Sequence, residues 1–355
     1  MDYVGNSGDS HVLEPDDLWE RNLPPSLRSR AIFPREANRG VQEIYLDQKV
    51  IRRNAPDMLD LTRPPGAFEP APRLLDMDEQ GVWAEVLYPS NGLWISLCTD
   101  PGLESELVKV YNDWLLDTFV RMSPRLVGVA IVPILDVDLA IAEARRAYEL
   151  GYRALMLTIQ PPDHARYNSE IYRPLWNAVE ELDVPICFHV GTGSDPVVER
   201  NAGAAVINYL ETFIPAQRTL SYFVAAGVLD RHPGLRLVFV EGGASWLAGV
   251  IERLDEGYRQ HNRWARPKLS ALPGEIVRRQ VHVTFQHDRA ALFTTDITGV
   301  EPLMWGSDYP HLEGTFPNTR KAVDEVFAGV AEDVRRAAAF DNVARVFPVP
   351  PLPGV

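Results

Sequence analysis

The chain has 355 residues, 46% hydrophobic and 24% charged, enough apolar material for one large core or two ordinary ones. A formal net charge of −14 argues against a nucleic-acid or anionic-membrane partner, because either needs a basic surface. No apolar run approaches the roughly 18 residues that span a bilayer. Residues 1–5 lack the basic start and apolar core of a signal peptide, and the only cysteines are Cys98 and Cys187, the latter inside an apolar run. A cytoplasmic location is therefore expected, without a disulfide framework.

In chain order, an extended stretch near residues 3–11 comes first and ends on Asp9-Ser10-His11. Segment 24–75 follows, with Arg- and Pro-rich turns and a hairpin expected around Glu43–Ile51, Asp47-Gln48 at its tip. It breaks the rhythm of the rest of the chain and is expected to cover the mouth of the fold or to contact a partner subunit. From about residue 80, strand-like runs at 84–88, 126–133, 153–158, 184–190, 235–240, 281–286 and 302–306 alternate with helical patterns. Those helical patterns lie at about 102–122, 137–150, 169–182, 203–230, 244–259, 288–296 and 318–340. With the opening strand this makes eight βα alternations, which predict a (β/α)8 TIM barrel with an insertion after the first strand. The barrel is expected to be one domain over residues 1–355, ending in a tail at 348–355 with no clear element. Local signals agree: Asp136 precedes a helical pattern, Gly151 sits just past its end, and Pro185 and Pro302 fall near strand starts.

Three of these strands end in groups that bind metals. Residues i and i+2 share a strand face, so Asp9 and His11 can converge while Ser10 points away. His189 ends the fifth strand. Asp308 ends the short run Leu303-Met304-Trp305-Gly306-Ser307 and is followed at once by the turn Tyr309-Pro310-His311. In a closed barrel the first and eighth strands are neighbours and the fifth faces them. Two imidazoles and two carboxylates at one mouth suit a divalent ion, which polarises carbonyls and activates water. Each residue also has an ordinary reading: Asp9 as a turn residue, His189 as a core histidine, Asp308 as a helix cap.

Glu241, ending the sixth strand, can be a ligand, a general acid/base, a substrate acceptor or the partner of a buried arginine. Glu14 can be catalytic, or simply an acid near a helix start. His311 and His287 can line a pocket or sit in loops, and Asn91 and Trp94 can shape it. His232, ahead of the sixth strand, reads as structural. His164, His261 and His282 carry no spacing signal.

Asp9-Ser10-His11-Val12-Leu13-Glu14-Pro15, Pro185-Ile186-Cys187-Phe188-His189-Val190-Gly191 and Gly306-Ser307-Asp308-Tyr309-Pro310-His311 together resemble the amidohydrolase superfamily. The likeness is to the amidohydrolase-2 branch, with aminocarboxymuconate-semialdehyde decarboxylase and the aromatic acid decarboxylases, and covers residues 7 to about 347. Weaker echoes are residues 75–82 and Asp341-Asn342-Val343-Ala344-Arg345-Val346-Phe347. The resemblance implies that His11, His189 and Asp308 are metal ligands.

Two departures stand out. Asp9 replaces the first histidine of a His-x-His found in many relatives, and Glu241 stands where the decarboxylases generally carry a histidine before the glycines. Asp9, His11, His189 and Asp308 supply two negative charges, which neutralise a divalent ion and make an oxygen-rich site suited to Zn²⁺ or Mn²⁺. The fourth strand run, Tyr152 to Thr158, lacks the lysine that bridges two metals in binuclear relatives, so one ion is expected. The expected protein is a metal-dependent hydrolase or non-oxidative decarboxylase of a small carboxylated, aromatic or carbonyl compound. Asp308 is the expected acid/base, with Glu241 and His311 also placed as catalytic. A homodimer or homotetramer is expected. The alternative is an inactive ligand-binding barrel.

Overall fold

The strands of the sheet are apolar on both faces: Ile186–His189 reads ICFH and Leu237–Val240 reads LVFV, each buried at every position. Such runs belong to a parallel sheet clothed by helices outside and filled by side chains inside. The computed structural model describes residues 3–37, 40–54, 63–162, 165–194 and 197–353. Its strands are β1 (Gly5–Val12), β2 (Phe33–Glu36), β3 (Gln42–Leu46), β4 (Lys49–Asn54), β5 (Val82–Pro89), β6 (Leu126–Gly128) and β7 (Ala130–Ile131). They continue with β8 (Leu155–Thr158), β9 (Ile186–His189), β10 (Leu237–Val240), β11 (Val281–Phe285) and β12 (Leu303–Trp305).

Parallel pairing runs β1-β5-β6 and β7-β8-β9-β10-β11-β12. Strands β6 and β7 are one barrel strand bent at Val129, whose N–H donates to the Leu87 carbonyl at 3.2 Å while the next N–H, of Ala130, turns to Ala154 at 3.0 Å. The ring closes between β1 and the end of β12, where Ser10 bridges Tyr309 and the Asp308 N–H donates to the Asp9 carbonyl at 2.8 Å. The result is the closed eight-stranded parallel barrel expected from the alternation.

The crossover helices follow local chemistry. Asp136 accepts from the N–H groups of Asp138 and Leu139, and Gly151, at φ 111°, ends the helix Val137–Leu150. Asp100 caps Pro101–Thr118 in the same way. Elsewhere the structure subdivides the pattern. The stretch 203–230 is three helices, Ala204–Glu211, Phe213–Ala225 and Val228–Arg231, with Gly227 at φ 67° starting the last. The stretch 318–340 breaks after Thr319–Val326, passes Gly329 at φ 79°, and resumes at Glu332–Arg336. Two further helices, Pro70–Gln80 and Pro273–Gln280, each start on a proline, where its missing N–H costs nothing. The first is the crossover between β1 and β5, so residues 70–75 belong to the barrel and not to the inserted segment.

The inserted segment forms the antiparallel sheet β2-β3-β4. Asp47 and Gln48, at φ 50° and 64°, make the left-handed two-residue turn that suits the twist of a hairpin. Arg30 ties this sheet down by reaching Asp47 at 2.6 Å and Asp100 at 3.0 Å, and Arg52 stacks over Trp94 at 5.5 Å. Both anchors on the barrel side, Trp94 and Asp100, lie in the loop after β5. Cys98 and Cys187 are both free and buried. No helix among the described residues is long and apolar enough to cross a membrane.

Candidate metal centre

Six side chains meet at the C-terminal mouth of the barrel: Asp9 and His11 from β1, His189 from β9, Glu241 after β10, and Asp308 and His311 after β12. The Nε2 atoms of His11 and His189 are 3.1 Å apart. Around His11 Nε2 lie carboxylate oxygens of Glu241 at 3.4 Å, Asp308 at 3.5 Å and Asp9 at 3.6 Å. His189 Nε2 lies 3.2 Å from Glu241 and 3.8 Å from Asp9. His311 Nδ1 is 2.9 Å from Asp308, and its ring lies over that of His11 with centroids 3.9 Å apart. Ligand atoms of Asp9, His11, His189 and Glu241 fit within one ion's reach, as do those of His11, Glu241, Asp308 and His311. The geometry thus brings together all six sequence candidates.

The framework holding them is buried and specific. The Nδ1 of His11 faces the Pro89 carbonyl at 2.8 Å and that of His189 the Val190 carbonyl at 2.9 Å. A carbonyl only accepts, so each Nδ1 carries the proton and each Nε2 turns a lone pair inward, the arrangement of metal-binding histidines. Gln286, just past β11, donates from Nε2 to Asp9 Oδ2 at 2.9 Å. Ser7 and Ser10 both contact Ser307 Oγ, at 3.1 and 3.0 Å, locking β1 to β12 behind the carboxylates. A Cβ on Gly306 would come within 2.6 Å of the Asp9 Cβ, so glycine is required there. Arg73, fully buried, donates to the His11 carbonyl at 2.7 Å and to Glu85 at 2.6 Å and stacks 4.7 Å from the Tyr309 ring. Asp308 and Glu241 sit at φ 52° and 67°, left-handed conformations that cost about 1–3 kcal/mol for residues with a side chain and cluster at functional sites.

Sequence reasoning missed Gln286 and Arg73. Gln286 ends a strand run and falls under the same strand-end rule that found His189. Arg73 had no signal, because nothing in a helix pattern says that one of its arginines turns inward.

The donors fit a divalent cation. Oδ1 of Asp9 and both oxygens of Asp308 are buried and accept no hydrogen bond, a costly state for carboxylates that a cation would relieve. Burial, then Asp308, holds the Glu241 carboxyl well above the ordinary carboxylate range, and burial, then Asp9 and Glu313, does the same to Asp308. Burial, then His311 and His189, pushes His11 well below its ordinary value, keeping it neutral and able to ligate. Burial also pulls His189 down, but the nearby Asp9 and Glu241 carboxylates outweigh it and raise it on balance. Mutually repelling carboxylates beside the neutral His11 imidazole suit a cation held between them.

The remaining candidates have other places. Glu14 accepts the backbone N–H groups of Asn91 and Gly92, at 2.8 and 2.9 Å, pinning the loop after β5. His232 meets Glu180 at 2.8 Å, and His282 meets the Glu301 carbonyl at 3.2 Å. No arginine pairs with Glu241 among the described residues. His164 lies outside the described residues. His287 joins Glu241 and Gln286 in lining a cavity of about 1120 Å³ that opens from the cluster.

A family profile described as amidohydrolase matches residues 13–349. The chain is 28% identical to gamma-resorcylate decarboxylase of Rhodococcus jostii, over 54% of this chain and 60% of that one. It is 27% identical to gamma-resorcylate decarboxylase of Rhizobium radiobacter, over 78% of this chain and 86% of that one. Among solved structures, a dihydroxybenzoic acid decarboxylase from a Polaromonas species, with bound manganese and 2-nitroresorcinol, superposes with a TM-score of 0.63 at 20% identity, covering 98% of this chain and 97% of that one.

Proposed function

The chain belongs to the amidohydrolase family, and we propose that within it the protein is a metal-dependent carboxy-lyase releasing CO₂ non-oxidatively from an aromatic or unsaturated carboxylic acid. One observation carries the reading: Asp9, His189 and Asp308 all lie within 3.6 Å of His11 Nε2, with three carboxylate oxygens that no donor satisfies. The two resorcylate decarboxylases favour decarboxylation over hydrolysis. A single Zn²⁺ or Mn²⁺ held by those four residues would supply the charge that draws in the substrate's oxygen atoms.

The chain's own groups handle the proton. Asp308, the acid/base, and Glu241 both touch His11 Nε2, and Glu241 faces the cavity with its side chain 22% exposed. A proton held on this pair passes to the carbon that bears the carboxylate and forms the new C–H bond. The C–C bond to the carboxylate breaks, its electron pair returns to the ring or chain, and CO₂ leaves. Hydrolysis is the second reading. It rests on Glu241, since a carboxylate facing the cavity takes a proton from water as readily as it gives one to carbon.

The test is turnover of hydroxybenzoates, muconate semialdehydes, amides and lactones with Mn²⁺ or Zn²⁺, following CO₂ beside acid release. CO₂ from a carboxylic acid, lost to a chelator and restored by metal, is the expected outcome. Turnover of amides or lactones with no CO₂ from any acid would replace this reading with hydrolysis.

A further inference from the structure

We propose, resting on that reading of the site, that the substrate is an elongated dianion: a carboxyl-bearing head at the metal cluster, an apolar body, and a second anionic group at Arg218. The cavity of about 1120 Å³ lies just above the roughly 300–1,000 Å³ usual for small-molecule sites. A single-ring acid fills only a small part of it. Its shape follows from two helices that start beside the cluster. Trp246 Nε1 donates to the Gly243 carbonyl at 2.8 Å, and a Cβ on Gly242 would lie 3.8 Å from the Phe213 Cα. From that end the cavity runs outward between Phe213–Ala225 and Trp246–Gln260.

The walls change character along this path. Trp246, Val250 and Leu254 recur every four residues on one face of their helix, and Phe213 and Ile214 line the other side. The basic side chains of the wall are Arg218 and Arg253. Seven residues separate Trp246 from Arg253, about 10 Å along a helix, and five separate Phe213 from Arg218, about 7.5 Å. Arg253 is engaged by Glu256 at 2.6 Å, whereas Arg218 has no hydrogen-bond or ion-pair partner among the described residues.

The inner end is acidic, with Asp9, Glu241 and Asp308, so a substrate carboxylate there depends on the cation the cluster holds. The outer end is cationic in a chain of net charge −14. A molecule matching both ends has two anionic groups separated by an apolar stretch of about three helix turns or less.

Calorimetric binding to the Mn²⁺-loaded full chain tests this with three probes: 2-hydroxybenzoate, the same head with a 4-(5-carboxypentyl) tail, and that tail as its methyl ester. The carboxylated tail should tighten binding at least about tenfold over the head alone, the worth of one charge-assisted hydrogen bond, and the ester should gain less. Arg218→Gln should shrink the ratio of tailed to tailless affinity toward that of the ester. A tail that adds nothing, a ratio untouched by Arg218→Gln, or a groove closed by a second copy of the chain in sedimentation with no tail advantage would each overturn the proposal. If the tail advantage holds while no probe releases CO₂, the elongated pocket stands and the decarboxylase reading falls.

Discussion

The two halves of the barrel mouth are built differently. On the β1/β12 side every residue of Gly5–Val12 is buried, three serines lock the strands together, Gln286 holds Asp9, and Arg73 clamps the His11 carbonyl. On the β9/β10 side Glu241 is partly exposed, and the helix Ala204–Glu211 above it has no buried residue at all. Val206, Tyr209 and Leu210 on that helix are 76%, 58% and 60% exposed although apolar, and all three line the cavity. Precision at an ion needs ligands whose own partners are fixed, while entry of a substrate needs a wall with little packing to lose. The closed half, with the buried His189 facing it, sets the metal geometry, and the rest of the open half is left to admit and choose what binds.

The largest effects should come from breaking the closed half. Asp308→Asn keeps the shape but removes the charge and the proton-accepting oxygen. Turnover should fall by on the order of 10²–10⁴, the usual worth of a general acid or base, and metal content by less. Full activity in this variant, measured with metal by elemental analysis, would remove Asp308 from the mechanism. Glu241→Gln, on the open side, should lower turnover while metal content holds. Equal metal loss in both variants would mean that the halves do not divide the work.

Next in size is Arg73→Met. It leaves Glu85, 2% exposed, as a buried carboxylate without its partner. Breaking such a pair costs about 3–5 kcal/mol, so the urea midpoint should drop sharply, and Arg73→Met with Glu85→Gln should recover part of the loss. A single variant as stable as the parent would show that the clamp on β1 is ornamental.

How far the sequence reveals this division depends on the element. The strand-end ligands are legible because a charged residue closing an apolar run is costly to bury unless a cation or donor meets it there. The hairpin tip is legible because Asp47-Gln48 separates two extended runs. The pattern over 203–230 reads as one helix because apolar residues continue through Thr212 and Gly227, and only the backbone shows the breaks. Pro70–Gln80 hides behind two prolines and an almost wholly polar C-terminal half, although it carries Arg73, the residue that braces the metal-facing end of β1. The left-handed backbone that turns Glu241 toward His11 and His189 is equally invisible, since neither a glutamate nor its neighbours demand it. Burial and backbone twist, which decide whether a polar residue turns inward, arise from the whole barrel and not from the local string.

A pH effect of moderate size should also belong to the closed side. Burial raises Glu14 from 4.5 to about 7, and Glu104, which accepts the N–H groups of Ile134 and Leu135, likewise to about 7. Between pH 4.5 and 7 the folded protein keeps protons that the unfolded chain has released. Their contribution to stability is therefore greatest below 4.5, falls as pH rises to 7, and is level above. For Glu14 the span is on the order of 3 kcal/mol. Glu14→Gln should flatten the decline in urea midpoint between pH 5 and 7.5, and a slope identical to the parent's would mean that Glu14 ionises normally.

The smallest stability change should come from the open half, at Tyr209. The side chain is 58% exposed, and Glu241 is among the charges that act on it, with burial and then Glu241 raising its hydroxyl above the ordinary tyrosine value. Truncating an exposed residue away from packed contacts shifts stability by about 0.5 kcal/mol or less. Tyr209→Ala should therefore unfold within that margin of the parent and keep its metal. If the open half selects the substrate, KM should rise several-fold while kcat moves less, because Tyr209 lines the cavity but contributes no donor to the cluster. A variant that unfolds early, or loses metal in step with activity, would show that the helix Ala204–Glu211 is part of the framework after all, and the two halves of the mouth would then have to be treated as one.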